Sequence, residues 1–140
     1  MPENIQLRDG RSEFDLYGDP NRRIRLNLKD NQIFVRAQEA EEEMRKIIEE
    51  HEKLSGENMS LHDEIDLIKK RDDEIKRLIN YVFDFDVSTP AFGNVSPMAE
   101  IDENGTLFFE ELLDKLMALL KKHMEASQSR IQKHAGKYTS

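Results

Sequence analysis

The sequence predicts a mainly α fold with a small β element. An N-terminal β-hairpin is followed by an antiparallel helical hairpin and a third, C-terminal helix, giving an α+β helical bundle in one domain. Three observations predict it. Apolar and polar residues alternate on both sides of a Gly18-Asp19-Pro20-Asn21 breaker cluster, two later stretches carry strict 4-3 apolar seams separated by a short turn, and a last stretch carries two apolar stripes side by side. A chain of 140 residues suffices for one modest core, so residues 1–140 are read as a single domain.

Residues 13–28 form the predicted hairpin. Phe14 and Leu16, then Ile24, Leu26 and Leu28, alternate with polar residues and put one apolar face on a core. Two strands alone are marginal, so this unit must pack on a helix or on another chain's sheet edge. Asp30 or Asn31 then supplies an N-cap for a first helix over residues 31–54. Its seam is Ile33, Ala37, Ala40, Met44, Ile47, His51 and Leu54.

Off the seam, Glu41–Arg45, Glu42–Lys46 and Glu49–Lys53 place an acid four residues before a base, the spacing of a solvated helix face. After the Ser55-Gly56-Glu57-Asn58 turn a second helix over 60–84 repeats the seam with Leu61, Ile65, Ile68, Asp72, Ile75, Ile79 and Val82. Helices of similar length joined by a short turn pair antiparallel, and most of both seams is expected to be covered in that pairing.

Residues 85–105 lack a helical period and hold two prolines, so they are read as a structured loop pinned by Phe85, Val87, Phe92 and Val95. The third helix covers 106–126. One stripe is Phe109, Leu112, Leu116, Leu119 and His123, and beside it lie Phe108, Leu113, Met117, Leu120 and Met124. So wide an apolar face suits a helix gripped by two neighbours, or by a neighbour and a partner protein. Residues 127–140 read as a basic tail.

Composition narrows the function classes. Charged residues make up 36% of the chain, against about 25% in an average domain, which calls for large solvated faces. Residues 1–30 carry six basic and six acidic side chains and residues 121–140 five and one; with a net charge of −8, residues 31–120 hold −12. An acidic body disfavours contact with a phosphate backbone, so no nucleic-acid partner is expected. No apolar run approaches the ~20 residues of a membrane span, and Met1-Pro2-Glu3-Asn4 lacks the basic start of a signal peptide. The expected location is the cytoplasm. The absence of cysteine excludes disulfides and thiol chemistry.

No catalytic set stands out. The histidines at 51, 62, 123 and 134 are isolated, no serine sits in a Gly-x-Ser-x-Gly turn, and no glycine-rich phosphate loop occurs, so a non-enzymatic protein is expected. One segment has the oxygen-ligand spacing of an EF-hand calcium loop: Glu100, Asp102, Asn104 and the closing Glu111, with Gly105 at the sharp turn. Glu100 stands where such loops use aspartate, and Pro90 and Pro97 interrupt the incoming helix. The competing reading is a turn that leads into a helix N-terminus, where acids are favoured. No cofactor is otherwise expected.

The stretch Tyr81-Val82-Phe83-Asp84, Val87-Ser88 and Ala91-Phe92-Gly93-Asn94-Val95-Ser96-Pro97, the Phe108-Phe109-Glu110-Glu111-Leu112-Leu113 helix and the Lys137-Tyr138-Thr139 ending resemble small tail-region proteins of Gram-positive phages and prophages. The resemblance runs from about Ile24 to the C-terminus. It implies a tail assembly chaperone in the cytoplasm of the bacterial host that binds the tape-measure or tail-tube protein. Phe85, Phe92, Val95, Phe108, Met117, Leu120 and Met124 are then the expected partner contacts. Two alternatives stand beside it: a structural tail or connector component of the virion, and the EF-hand-like calcium module. An acidic mimic of nucleic acid fits less well, because Arg45, Lys46, Lys53, Lys69, Lys70 and Arg71 interrupt the negative field. A seam that packs within the chain looks like one that packs between chains, so a homo-oligomer stays open.

Overall fold

The computed structural model describes the backbone of residues 1–56 and 58–139 and the side chains of residues 1–56 and 58–126. Strands β1 (Ser12–Asp15) and β2 (Arg23–Leu26) precede helices α1 (Gln32–Leu54), α2 (Leu61–Phe83), α3 (Ser88–Phe92) and α4 (Phe108–Thr139). The fold is mainly helical with one antiparallel two-stranded sheet, as its periodicities predict. Among the described residues no helix is long and apolar enough to cross a membrane.

In the sheet Phe14 faces Ile24 and Ser12 faces Leu26. Ile24 and Leu26 are fully buried while Arg23 and Arg25 between them are exposed, which is the period-two alternation in structural form. The buried face joins one core with Ile33, Ala40 and Met44 of α1, Ile75, Leu78, Ile79, Val82 and Phe83 of α2, and Leu116 and Leu120 of α4. The marginal hairpin is thus held by packing on helices.

α1 and α2 lie antiparallel: Tyr81 donates to Glu39 at 2.6 Å near one end, and Arg71 reaches the His51 ring at 3.4 Å towards the other. Asp30 accepts the Gln32 N–H at 3.0 Å at the start of α1, and Ser60 accepts the Asp63 N–H at 3.2 Å at the start of α2. The seams close over only part of their length. Leu54, Leu61, Ile65 and Ile68 are 49%, 73%, 43% and 42% exposed, so the expectation that the two helices cover each other's seams fails at the turn end. Two helices in contact shield a strip but not its flanks. Full burial needs a third layer, and the hydrophobic core lies toward the other end.

Two further elements differ from expectation. The loop 85–105 contains α3, because Pro90 falls in its first turn, where a missing N–H costs nothing, and Asp86 caps it. The helix expected to end at 126 continues to Thr139. Residues 127–139 hold no proline, Gln128, Arg130, Gln132, Lys133, Ala135 and Lys137 among them are good helix formers, and bases near a C-terminus suit the helix dipole. Their side chains lie outside the described residues.

Three arginines from the first third of the chain bind the C-terminal carbonyls of α2 and α3. Arg36 donates to the Val82 carbonyl at 2.9 Å and to Asp30 at 3.0 Å. Arg11 donates to the Asp84 carbonyl at 2.8 Å and to its carboxylate at 3.0 Å, at the left-handed residue that ends α2. Arg22 donates to the Pro90 and Ala91 carbonyls at 2.6 and 2.9 Å while stacking over Tyr17, whose hydroxyl donates to the Ala91 carbonyl at 2.8 Å.

Hydrogen bonds to a charged donor contribute about 1.5–3 kcal/mol, so Arg36→Ala should lower the unfolding free energy in urea by about that amount. Arg36→Lys should restore only part of it, since a point charge cannot serve a carbonyl and a carboxylate in the same fork. The uneven seam gives a second expectation. Ile79→Ala should cost about 2–5 kcal/mol and Ile65→Ala less than about 1 kcal/mol, measured in the same titration.

Candidate functional site

Residues 84–107 form a braced platform. The Asp86 carboxylate accepts from the Asn80 side-chain N–H at 3.1 Å, the Ser88 hydroxyl at 3.2 Å and the Thr89 N–H at 3.1 Å, while the side-chain Oδ1 of Asn80 accepts the Ser88 N–H at 2.9 Å. The end of α2 is thereby tied to the start of α3. Phe92 stands edge-on to Phe108, with ring centroids 4.9 Å apart and planes at 86°. The first N–H groups of α4 are also taken: Phe108 donates to the Ala99 carbonyl at 2.8 Å and Phe109 to that of Pro97 at 2.9 Å.

Three of the candidate calcium ligands, Glu100, Asp102 and Asn104, lie in the turn between these bonds, and the fourth, Glu111, lies in the first turn of α4. Glu100 and Leu107 form an antiparallel bridge, and Ile101 donates to the Thr106 carbonyl at 2.9 Å. Asp102 Oδ1 accepts the N–H groups of Asn104 at 2.9 Å and Thr106 at 3.0 Å, while Gly105 takes φ 78°. The Thr106 side chain is the main cause, with its N–H and those of Asn104 and Gly105 adding to it, that holds the Asp102 carboxyl below its ordinary range. Asp102 therefore closes its own turn. Among the described residues no group of three or more His, Asp or Glu is gathered to hold a metal ion.

The expected partner contacts scatter. Phe92 is 1% exposed and Leu120 0%, so both belong to the core and cannot meet a partner without unpacking it, which corrects their assignment. Phe85 and Phe108 are half-buried, with the Arg11 guanidinium 6.0 Å from the Phe85 ring centroid. Val95 is exposed and Met124 half-buried. Met117 alone of the set lines a broad concavity beside α1.

That concavity is an open groove of about 960 Å³ between α1 and α4. Its apolar floor and walls are Phe34, Ala37, Ala40, Met44 and Ile48 of α1, Val82 of α2, and Phe109, Leu113 and Met117 of α4. Its rim is acidic: Glu41, Glu42, Glu49, Glu52, Glu110 and Asp114 stand against the single base Arg45, six negative groups to one positive. Among the described residues Lys46 pairs with Glu43 at 3.6 Å instead of with Glu42, leaving the latter on the groove. An apolar trough with charged lips fits an amphipathic helix laid along it.

The sequence reading missed this site because it treated the flank of the first seam as plain solvated surface. A signal was present. Phe34 and Ile48 lie fourteen residues apart on one helical face, with Glu41 and Arg45 between them, beside the main seam and not on it. Comparison with protein-family models, with curated proteins and with solved structures gives no match.

The platform carries a pH prediction. Burial pushes the Asp86 carboxyl up, but hydrogen bonds from Thr89, Ser88 and Asn80 outweigh it and hold the group below its ordinary value. A folded-state pKa below the unfolded one means that ionised Asp86 stabilises the fold above the unfolded carboxylate value, about pH 4, and that this is lost as pH falls through the lower folded value. Asp86→Asn keeps an acceptor without the charge. Its urea midpoint should therefore lie below wild type at neutral pH and fall less on acidification, the two curves converging at low pH; parallel curves would contradict the assignment.

Proposed function

We propose that this protein has a non-enzymatic, protein-binding role in phage tail morphogenesis, as a tail assembly chaperone that holds the tape-measure or tail-tube protein in the host cytoplasm. The groove between α1 and α4 is the observation that carries the reading. It offers the half-buried Phe34, Ala37, Ile48, Leu113 and Met117 to a partner, over a floor of buried Ala40, Met44, Val82 and Phe109, and surrounds them with carboxylates that keep the unoccupied protein soluble. Its titratable lining groups are carboxylates and one guanidinium, a set suited to grip a charged helix. The resemblance of the 81–97 stretch and the following helix to tail-region proteins supplies the phage context.

A second reading, a structural tail or connector component, draws on a different surface. Leu54, Leu61, Ile65 and Ile68 form an exposed apolar end of the helical hairpin, which a permanent subunit would cover against a neighbour. Detection of the protein in purified mature particles would favour this reading, since a chaperone leaves.

Co-expression with the tape-measure and tube proteins should yield a soluble complex. Leu113→Asp combined with Met117→Asp places two charges on the groove wall and should abolish capture while the circular dichroism spectrum stays helical. A complex that survives this change would move the site elsewhere. If neither tail protein co-purifies with the unaltered chain, the chaperone assignment fails.

A further inference from the structure

The occupant of the groove can be specified further, which rests on the groove being a helix-binding site. α4 continues from Lys121 to Thr139 beyond Leu120, about 28 Å of helix at 1.5 Å per residue. On α1 the groove runs from Phe34 to Glu52, also nineteen residues and about 28 Å by the same measure. The two lengths match. Their charges are opposite: residues 121–140 carry five bases and one acid, while the groove carries six acids and one base. Within the same segment Met124, Ile131, Ala135 and Tyr138 recur at intervals of seven, four and three, the spacing of one helical face.

This segment cannot enter the groove of its own chain. α4 is continuous, its first turns, with Phe109, Glu110, Leu113, Asp114 and Met117, already form one wall of that groove, and none of residues 118–126 lines it, so the same helix does not fold back between that wall and α1. A second copy has no such restriction.

We infer that the basic C-terminal half of α4 docks in the acid-rimmed groove of a second copy, and the reverse, as a two-fold dimer. The symmetry makes the contact isologous, with the two α4 helices antiparallel and the basic half of each against the acidic wall of the other. The dimer closes both grooves at once, so a client helix has to displace the partner's α4 to bind.

Sedimentation equilibrium of the full chain should give twice the 16.4 kDa of one chain, with dissociation favoured as ionic strength rises toward ~1 M. Lys133→Glu with Lys137→Glu should weaken the dimer about tenfold or more, as should Glu110→Lys with Asp114→Lys, and all four together should restore it. Lys76→Glu with Arg77→Glu, on α2 outside the groove, should leave it unchanged. A chain that is monomeric at every concentration overturns the inference. So does a dimer indifferent to the groove and tail charges, equally sensitive to the α2 pair, or not rescued by the fourfold exchange. Because only purified chain is used, the result is separable from the chaperone assignment: a monomer that still captures a tail protein overturns the dimer alone, and a dimer that captures none overturns the assignment alone.

Discussion

α2 ends at Phe83 and α3 at Phe92, and each leaves carbonyls that no later turn of helix can satisfy. Arg36, Arg11 and Arg22 supply the missing donors from three separate places: the first helix, the segment before the hairpin and the hairpin's own loop. Each guanidinium is positive where the helix dipole is negative, so one contact satisfies both a hydrogen-bonding and an electrostatic need. The N-terminal hairpin, otherwise too small to be stable, is fastened to the helical body by the bonds of Arg11 and Arg22 and by its buried Ile24 and Leu26.

The placement of α4 follows from the same anchor. Arg22 and Tyr17 hold the carbonyls of α3, Asp86 holds its start, Phe92 stacks on Phe108, and the carbonyls of Pro97 and Ala99 receive the first N–H groups of α4. One wall of the groove is therefore positioned by a relay that begins in the hairpin loop. The other wall is α1, positioned by its pairing with α2 and by Arg36. Both walls of the groove therefore depend on how the end of α2 is held.

Along the helical hairpin a polar layer marks where close packing stops. Arg71 pairs with Asp72 at 3.0 Å and donates to His51, whose Nδ1 is buried without a partner among the described residues, a costly arrangement of about 1–3 kcal/mol for a polar group. On one side of this layer Met44, Ile75 and Ile79 are buried; on the other Leu54, Leu61, Ile65 and Ile68 meet solvent. A single helical period therefore serves two environments in the same helices.

The sequence by itself determined what depends on local repetition. The alternation of Phe14, Ile24 and Leu26 specified the hairpin, and the 4-3 recurrence from Ile33 and from Leu61 specified two helices and their pairing. Only the tertiary structure decided which apolar residues are core. Phe92 and Leu120 look like contacts in a list of stripes but are enclosed, whereas Ile65 and Ile68 look like seam and are open, because burial depends on neighbours distant in sequence. The same holds for the groove. Phe34, Glu42 and Ile48 on one helix and Leu113 on another have no shared signal along the chain, and come together only in the folded chain, through the shared core and the helix ends that Arg11, Arg22 and Arg36 hold.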